Sequence, residues 1–231
     1  MAYFVAAIGP TGGLQLAITS TAVPSNYVVP VHAWISASSA IFRTIGLRSF
    51  IDLKFLLRFV IPSMLATSIA VYIGEITGFA YIKILIGVYI LSDVLTKKFS
   101  LFQFKLPNIK SAEIAGLVTG FVTAFIGASG PLLWSLIKNK YSNKECLSAT
   151  HSACLVVQHF SKIILFGIFG VSILKYWPLL VSTVIASALG TYLGQKKLLS
   201  LSEKTYRTLL DVALIVSALI IISLGVEDVT S

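Results

Sequence analysis

Four polar side chains share one face of a predicted helix between residues 150 and 170. They are His151, Gln158, His159 and Lys162, and their spacings of three, four and seven residues are those of helix neighbours. The surrounding stretch is apolar, and an ionisable group inside a membrane is costly unless it is paired or hydrated. Lys162 is therefore predicted to meet an anion or a coupled proton, with His159 as a proton relay near neutral pH. A snorkelling lysine and a histidine satisfied within the core are the structural alternatives.

Two glycine clusters, at 9–13 and 127–131, interrupt long apolar stretches and carry proline beside the glycines. Such residues break a helix, and the free N–H groups at the new helix N-terminus can hold an anion. Nearby polar side chains would add contacts. The predicted substrate-binding residues are Gly9, Thr11, Gly12, Gly13, Gln15, Gly127, Ser129, Gly130, Trp134, His159 and Lys162. Close helix packing through small residues is the alternative interpretation of the clusters.

The composition requires a lipid environment around these residues. Of the 231 residues, 56% are hydrophobic and only 12% are charged, and the mean hydropathy is +0.90. A soluble domain carries about 25% charged residues. The chain is therefore predicted to be a multi-pass protein of the cell membrane with the lipid bilayer as its partner. The net charge of +9 does not indicate nucleic-acid binding, because the basic residues form short clusters between apolar runs, as in cytoplasmic loops.

Charged residues, proline and glycine divide the apolar sequence into eight segments. Most approach the length of about 17–25 residues that a membrane-spanning helix needs. The segments are 2–23, 31–46, 53–73, 80–95, 112–137, 150–170, 175–194 and 205–224.

The second four segments repeat the first four. The stretch 7–13 aligns with 125–131 at an offset of 118, and the offset is 119 where His32 meets His151. It grows to 120 where the Tyr-Ile-Gly at 72–74 meets Tyr-Leu-Gly. A slowly growing offset indicates duplication with small loop insertions. The chain is thus predicted to be one domain over 1–231, with one repeat at about 1–96, a cytoplasmic connector at about 97–111 and the second repeat at about 112–231.

The distribution of basic residues favours an inverted relation between the two repeats. If all eight segments cross the membrane, the loop charges are split almost evenly. If the first and fifth segments dip in and return, 15 of the 18 basic residues share one side, with Lys83 and Lys175 opposite and Lys162 inside a span. The positive-inside rule makes that side cytoplasmic. The predicted fold is an all-α integral membrane protein of two inverted repeats, each with one broken or re-entrant element and three transmembrane helices; eight full spans are the alternative.

Three stretches, 8–23, 47–54 and 116–136, combine a glycine-rich break, a short loop marked by proline, a polar helix and an Asp/basic element that opens a Gly/Ala-rich helix. In this pattern the chain resembles the TauE/SafE (sulfite exporter, TSUP) family. The resemblance implies a permease for sulfite, sulfonates or other small sulfur-containing or organic anions. The usual Gly-x-Gly-Gly-Gly of that family is Gly-Pro-Thr-Gly-Gly at 9–13 and Gly-Ala-Ser-Gly-Pro at 127–131.

Other classes of function find little support in the sequence. No nucleophile elbow, P-loop or carboxylate pair is present, so we expect neither an enzyme nor an ATP-driven pump, and we expect no cofactor. Cys146 and Cys154 are too few for a zinc site or a disulfide framework. No basic residue precedes Arg43, so a cleaved signal peptide is not expected. The leading prediction is a secondary transporter for a small anion; an anion channel, or a membrane-embedded enzyme or assembly factor, are the alternatives, and a homo-oligomer is left open.

Overall fold

The computed structural model describes residues 12–77, 111–127, 129–137 and 139–197, with isolated positions between 81 and 92 and between 212 and 230. Within these ranges all regular structure is helical, as predicted. The described residues form seven α-helices, which are α1 (Gly12–Ala22), α2 (Ser25–Gly46), α3 (Leu53–Thr77), α4 (Ala112–Ile126), α5 (Gly130–Ile137), α6 (Lys144–Ile168) and α7 (Trp177–Lys197). Short 3-10 helices, Arg48–Phe50 and Ile173–Tyr176, precede α3 and α7.

The second glycine cluster interrupts the helix where the sequence predicts a break. Helix α4 ends at Ile126 and α5 begins at Gly130, with Gly127 between them at a φ of 82°. The first cluster lies partly outside the described residues, and the described part of α1 starts within it, at Gly12. The predicted segment 31–46 was too short, since α2 begins at Ser25. Its Pro30 stands in the second turn, where the loss of one helical hydrogen bond does not end the helix.

Three helices are stabilised at their N-termini by polar caps. The Asp52 carboxylate accepts the N–H of Phe55 at 3.0 Å before α3. The Asn143 side chain accepts the N–H of Cys146 at 2.9 Å before α6, and Ser111 occupies the same position before α4. Each cap satisfies a backbone donor that has no partner within the helix. The caps therefore determine where α3, α4 and α6 begin.

Helices α3 and α4 lie side by side and run in the same direction. Arg58 pairs with Glu113 near their starts at 2.5 Å, and further along the Thr67 hydroxyl contacts the carbonyl oxygen of Gly120 at 3.1 Å. The close approach depends on a Gly-x-x-x-Gly pair, because a Cβ at Gly120 would lie 2.5 Å from the backbone oxygen of Ser63.

Helix α6 runs in the same direction as α3, and α5 runs back against it. The backbone N–H of Asp52 donates to Thr150 near the start of α6 at 2.9 Å. The start of α5 lies deeper, where the Ser129 hydroxyl donates to Gln158 at 2.7 Å. Beyond the end of α5, Tyr141 donates to Asp52 at 3.0 Å. The α4–α5 pair consequently begins and ends at one end of the molecule, which we call the Asp52 end.

The opposite end, which we call the Tyr27 end, holds the start of α2 and the 3-10 helix before α7. The rings of Tyr27 and Tyr176 meet edge to face with 5.3 Å between centroids. Further into the bundle, the Trp34 indole N–H donates to the carbonyl of Leu180 at 3.1 Å. Helices α2 and α7 therefore run together from the Tyr27 end toward the Asp52 end.

Three helical stretches of the described residues are long and apolar enough to cross a membrane: Leu53–Gly74, Glu145–Ile168 and Ile173–Gly190. Large apolar side chains such as Leu57 and Ile61 on α3 are more than 60% exposed. A soluble protein rarely presents such a continuous apolar face to water, whereas lipid accommodates it without cost.

Candidate functional site

The interior of the bundle is polar and positively charged. The described side chains that are almost fully buried include Lys162 and three histidines, His32, His151 and His159. Among the side chains that the structure describes, none of the buried ones is an aspartate or a glutamate. A buried positive charge with no acidic partner is costly, so it must be balanced by backbone dipoles or by an anion from outside the protein.

Lys162 is held by the C-terminal end of α4. Its ammonium group donates to the carbonyl oxygen of Gly127 at 2.7 Å and to the Thr123 hydroxyl at 2.9 Å, and it lies 3.4 Å from the Thr123 carbonyl. These oxygens belong to the negative end of the helix dipole. The contacts satisfy the three N–H donors of the lysine. In this conformation Lys162 therefore stabilises the broken helix and contributes a positive charge to the site.

Gly127 brings the end of α4 close to α1 and α2. Its φ of 82° lies in the left-handed region, which side chains other than glycine rarely adopt. A Cβ at this position would lie 2.9 Å from Leu16 on α1 and 3.6 Å from the ring of His32 on α2. The glycine thus serves both the sharp turn and the close contact between the two halves of the chain.

On the other side of Gly127, three side chains form a short hydrogen-bonded chain. The Ser36 hydroxyl donates to Gln15 Oε1 at 3.2 Å and lies 3.1 Å from His32 Nε2. Because serine has one hydroxyl hydrogen, His32 Nε2 must carry the hydrogen that it shares with Ser36. This leaves Gln15 Nε2 and His32 Nδ1 buried without a hydrogen-bond partner among the described residues.

His159 adds a third unpartnered nitrogen. Its ring faces that of His32 edge to face, with 6.2 Å between centroids, and its Nδ1 makes no hydrogen bond within the described part of the chain. A buried polar atom without a partner costs about 1–3 kcal/mol, and most such atoms in proteins are satisfied. Three of them on neighbouring side chains indicate a place for a ligand or for ordered water.

A second polar network surrounds the start of α5 and is complete. Ser129 donates to Gln158 Oε1, and Gln158 Nε2 donates to Thr119 at 2.7 Å and to Ser63 at 3.2 Å. The Gln158 amide uses both of its N–H donors and one of the two lone pairs of its oxygen. This network joins α3, α4, α5 and α6. It also means that the hydroxyl hydrogen of Ser129 is already used in a hydrogen bond within the protein.

His151 and Trp134 lie on the Asp52 side of that network. The Trp134 ring contacts the His151 ring at 5.2 Å between centroids, and His151 Nε2 is 2.9 Å from the carbonyl oxygen of Gly130. The histidine therefore fixes the first residue of α5. Both side chains pack at the short helix α5 and are not part of the cluster of unpartnered nitrogens on Gln15, His32 and His159.

A cavity of about 110 Å³ leads toward Gln15 from the Tyr27 end. It lies between α1, α2 and α7, with Ala22 and Leu179 at its outer part and Gln15 at its inner part. Thr19 and Thr183 also line it, but their hydroxyls donate to the backbone carbonyls of Gln15 and Leu180, so the wall is aliphatic. A volume of this size admits a few waters or a small solute.

The structure brings together Gln15, Gly127, His159 and Lys162 of the predicted site, and it places Gly12 and Gly13 at the start of α1. Ser129, Gly130 and Trp134 belong to the neighbouring networks around α5. Gly9 and Thr11 lie outside the described residues. The list of predicted ligands omitted His32, although the repeat pairs it with His151 at an offset of 119, which was a signal for it.

The fold and the buried centre define a helical membrane protein with a polar interior at a broken helix. The chain belongs to the TauE/SafE sulfite exporter family, because the model of that family, described as sulfite exporter TauE/SafE, matches residues 1–221. The family is one of membrane transporters rather than enzymes. No curated protein and no solved structure matches the chain.

Proposed function

We propose that this protein is a secondary transporter of the cell membrane for a small anion. The observation that carries the proposal is the set of three buried, unpartnered nitrogens on Gln15, His32 and His159 beside Lys162, with no acidic side chain among the described buried residues. An anion supplies the negative charge that Lys162 requires and an acceptor for the Gln15 Nε2–H, while each imidazole Nδ1 can donate to it only when the ring is protonated. The family description favours sulfite or a related sulfur-containing oxyanion.

Each group has a distinct role in this proposal. The Gln15 amide and the two imidazoles, when protonated, donate hydrogen bonds to the anion's oxygens. Lys162 contributes its charge while it holds the tip of α4 through Gly127.

The membrane topology that fits this site is an inverted repeat. The Asp52 end would face the cytoplasm, since 15 of the 18 basic residues then share that side. The α4–α5 pair would enter from the cytoplasm and return to it, and α1 would be the returning arm of a hairpin that enters from outside. Broken helices that meet near the midplane are a common architecture of transporter binding sites.

Uptake into vesicles tests the proposed activity. We expect the purified protein in liposomes to accumulate radiolabelled sulfite with a rate that saturates, and to exchange internal for external sulfite. Choline, a cation of similar size, should not enter. The absence of flux for sulfite, sulfate and small sulfonates with correctly folded protein would refute transport, and a rate that rises linearly with concentration would establish a channel instead.

Cysteine labelling tests the proposed topology. Asn139→Cys, in the exposed loop after α5, and Lys197→Cys, at the end of α7, should react only with reagent on the cytoplasmic side. Ser172→Cys, in the exposed loop before α7, should react only from outside. Each variant should carry Ser in place of Cys146, which is partly exposed. External labelling at 139 would restore the eight-span alternative.

A further inference from the structure

A contact between the two repeats closes the Asp52 end. The Asp52 carboxylate, which precedes α3, accepts the hydroxyl of Tyr141, which follows α5, at 3.0 Å. The ammonium of Lys140 lies 3.7 Å from the same carboxylate and 5.4 Å above the ring of Phe55. The contact therefore joins the segment after α5, in the second repeat, to the start of α3, in the first repeat.

The carboxylate in this contact is charged under ordinary conditions. Partial burial would raise the pKa of Asp52, but the hydrogen bonds from the Phe55 N–H and the Tyr141 hydroxyl, together with Lys140, hold that pKa below its usual value. Stabilisation from a lowered carboxyl pKa is complete above about pH 4 and is lost only as the pH falls through the lowered value. The contact is thus intact throughout the physiological range.

A second contact between the repeats closes the Tyr27 end. The Lys175 ammonium lies 3.5 Å above the ring of Tyr27 and 5.1 Å from that of Tyr176. Tyr27 follows α1, and Lys175 belongs to the 3-10 helix that precedes α7. The contact therefore joins the start of α2, just after α1 in the first repeat, to the 3-10 helix before α7 in the second repeat.

The two contacts lie at corresponding ends of the two predicted repeats, although their residues do not align one to one, since an offset of 118 aligns Tyr141 with Val23 and not with Tyr27. The sequence offsets of 118 and 120 pair α1 with α5 and α3 with α7. In each case a residue that follows the short helix of one repeat, α5 or α1, contacts the segment before α3 or α7 of the other repeat. The chemistry differs, because the Asp52 contact is ionic and the Tyr27 contact is a cation–π interaction.

We propose that these contacts are the two gates of the transporter, with Asp52–Tyr141–Lys140 as the inner gate and Tyr27–Lys175–Tyr176 as the outer gate. The proposal rests on the transport function proposed above. Each gate is linked to the buried centre by a short rigid helix. Helix α5, of eight residues, connects Tyr141 to Ser129, and α1, of eleven residues, connects the Tyr27 end to Gln15. Ser129 is two residues from Gly127, which accepts from Lys162, so a displacement at either gate moves a residue within the site or next to it.

Two buried positions serve as reporters of gate opening. Cys154 is fully buried one turn beyond Thr150, between the inner gate and Gln158. Thr183 lines the cavity on the outer side, so Thr183→Cys reports on that path. Both are measured as rates of modification by a small, charged thiol reagent added to one side of sealed vesicles, in a Cys146→Ser background with Cys154→Ser added for the outer reporter.

Asp52→Asn removes the charge but keeps a side chain that can still cap Phe55, and Tyr141→Phe removes only the hydroxyl. We expect each to raise cytoplasmic labelling of Cys154 by about tenfold, which corresponds to about 1.4 kcal/mol in the gate equilibrium. External labelling at 183 should fall in the same variants. Tyr27→Leu should produce the reverse pattern. Lys54→Gln, an exposed change in the first turn of α3, is the matched control and should alter neither rate.

Unchanged rates in both inner-gate variants would overturn the proposal, as would increases at both reporters in one variant, which indicate general loosening. Sulfite flux by the wild type separates the two ideas. Normal wild-type flux with unchanged labelling would refute the gates and leave transport intact. Absent wild-type flux would refute the proposed function whatever the labelling shows.

Discussion

Lys162→Met should reduce sulfite uptake by at least about a hundredfold, while the thermal unfolding midpoint of the purified protein stays equal or rises. Removing one member of a buried charge pair costs about 2–5 kcal/mol of binding, and about 2.7 kcal/mol corresponds to a factor of one hundred. Stability should not suffer on balance, because the cost of burying the charge offsets the contacts that the lysine makes with the end of α4, and methionine fills a similar volume.

Thr123→Val distinguishes the charge of Lys162 from its role as a helix cap. It deletes the hydroxyl that Lys162 contacts at 2.9 Å but leaves the lysine and the carbonyl of Gly127 in place. We expect uptake to fall by less than about tenfold, the loss of one charge-assisted hydrogen bond. If Lys162 only caps α4, Lys162→Met will lower the unfolding midpoint and reduce uptake no more than Thr123→Val does. Lys54→Met, an exposed change, should leave both measurements at wild-type values.

The features that the sequence predicts well depend on local chemistry. A helical spacing of His151, Gln158, His159 and Lys162 within an apolar stretch requires a polar face, and all four side chains are buried on α6. The glycine cluster predicts the break after Ile126, because residues other than glycine rarely adopt the φ of 82° that Gly127 has. In both cases the information lies within one or two turns of helix.

The partners of these residues could not be predicted, because they depend on how distant segments pack. The sequence does not show that the ammonium of Lys162 is satisfied by the C-terminus of α4, since that end is 35 residues away along the chain. Nor does it show that Ser129 donates to Gln158 and is therefore occupied. Spacing identifies polar side chains that share a face; it does not show which of them keep an unused hydrogen-bonding atom.

The two predicted repeats would contribute different chemistry to the proposed site. The first repeat supplies donors on α1 and α2, through Gln15 and His32, and the second supplies charge and support on α6, through Lys162 and Gln158. If the two halves are related as the sequence predicts, α2 and α6 have diverged, because Arg43 lies near the end of α2 and the aligned Lys162 lies in the interior on α6. Such asymmetry is consistent with a single anion site between two related halves, rather than two equivalent sites.

Gln158→Leu should destabilise the protein more than any single change among the hydroxyl residues around it. The substitution leaves the hydroxyls of Ser129, Thr119 and Ser63 without their shared partner inside the bundle. Hydrogen bonds between membrane helices average about 0.6 kcal/mol, with a maximum of about 1.7. Three of them amount to about 2 kcal/mol, and that loss lowers the unfolding midpoint of a protein of this size by about 5 °C.

The measurement is the thermal unfolding midpoint in detergent, followed by the change in tryptophan fluorescence. Ser68→Ala is the control, since it deletes an exposed hydroxyl that bonds only to the carbonyl of Met64 in its own helix, and the midpoint should not change. Sulfite uptake by Gln158→Leu should fall as well, because the network fixes the start of α5 beside the site. An unchanged midpoint would show that the three hydroxyls find other partners, and that the joint between α3, α4, α5 and α6 depends on close packing at Gly120 instead.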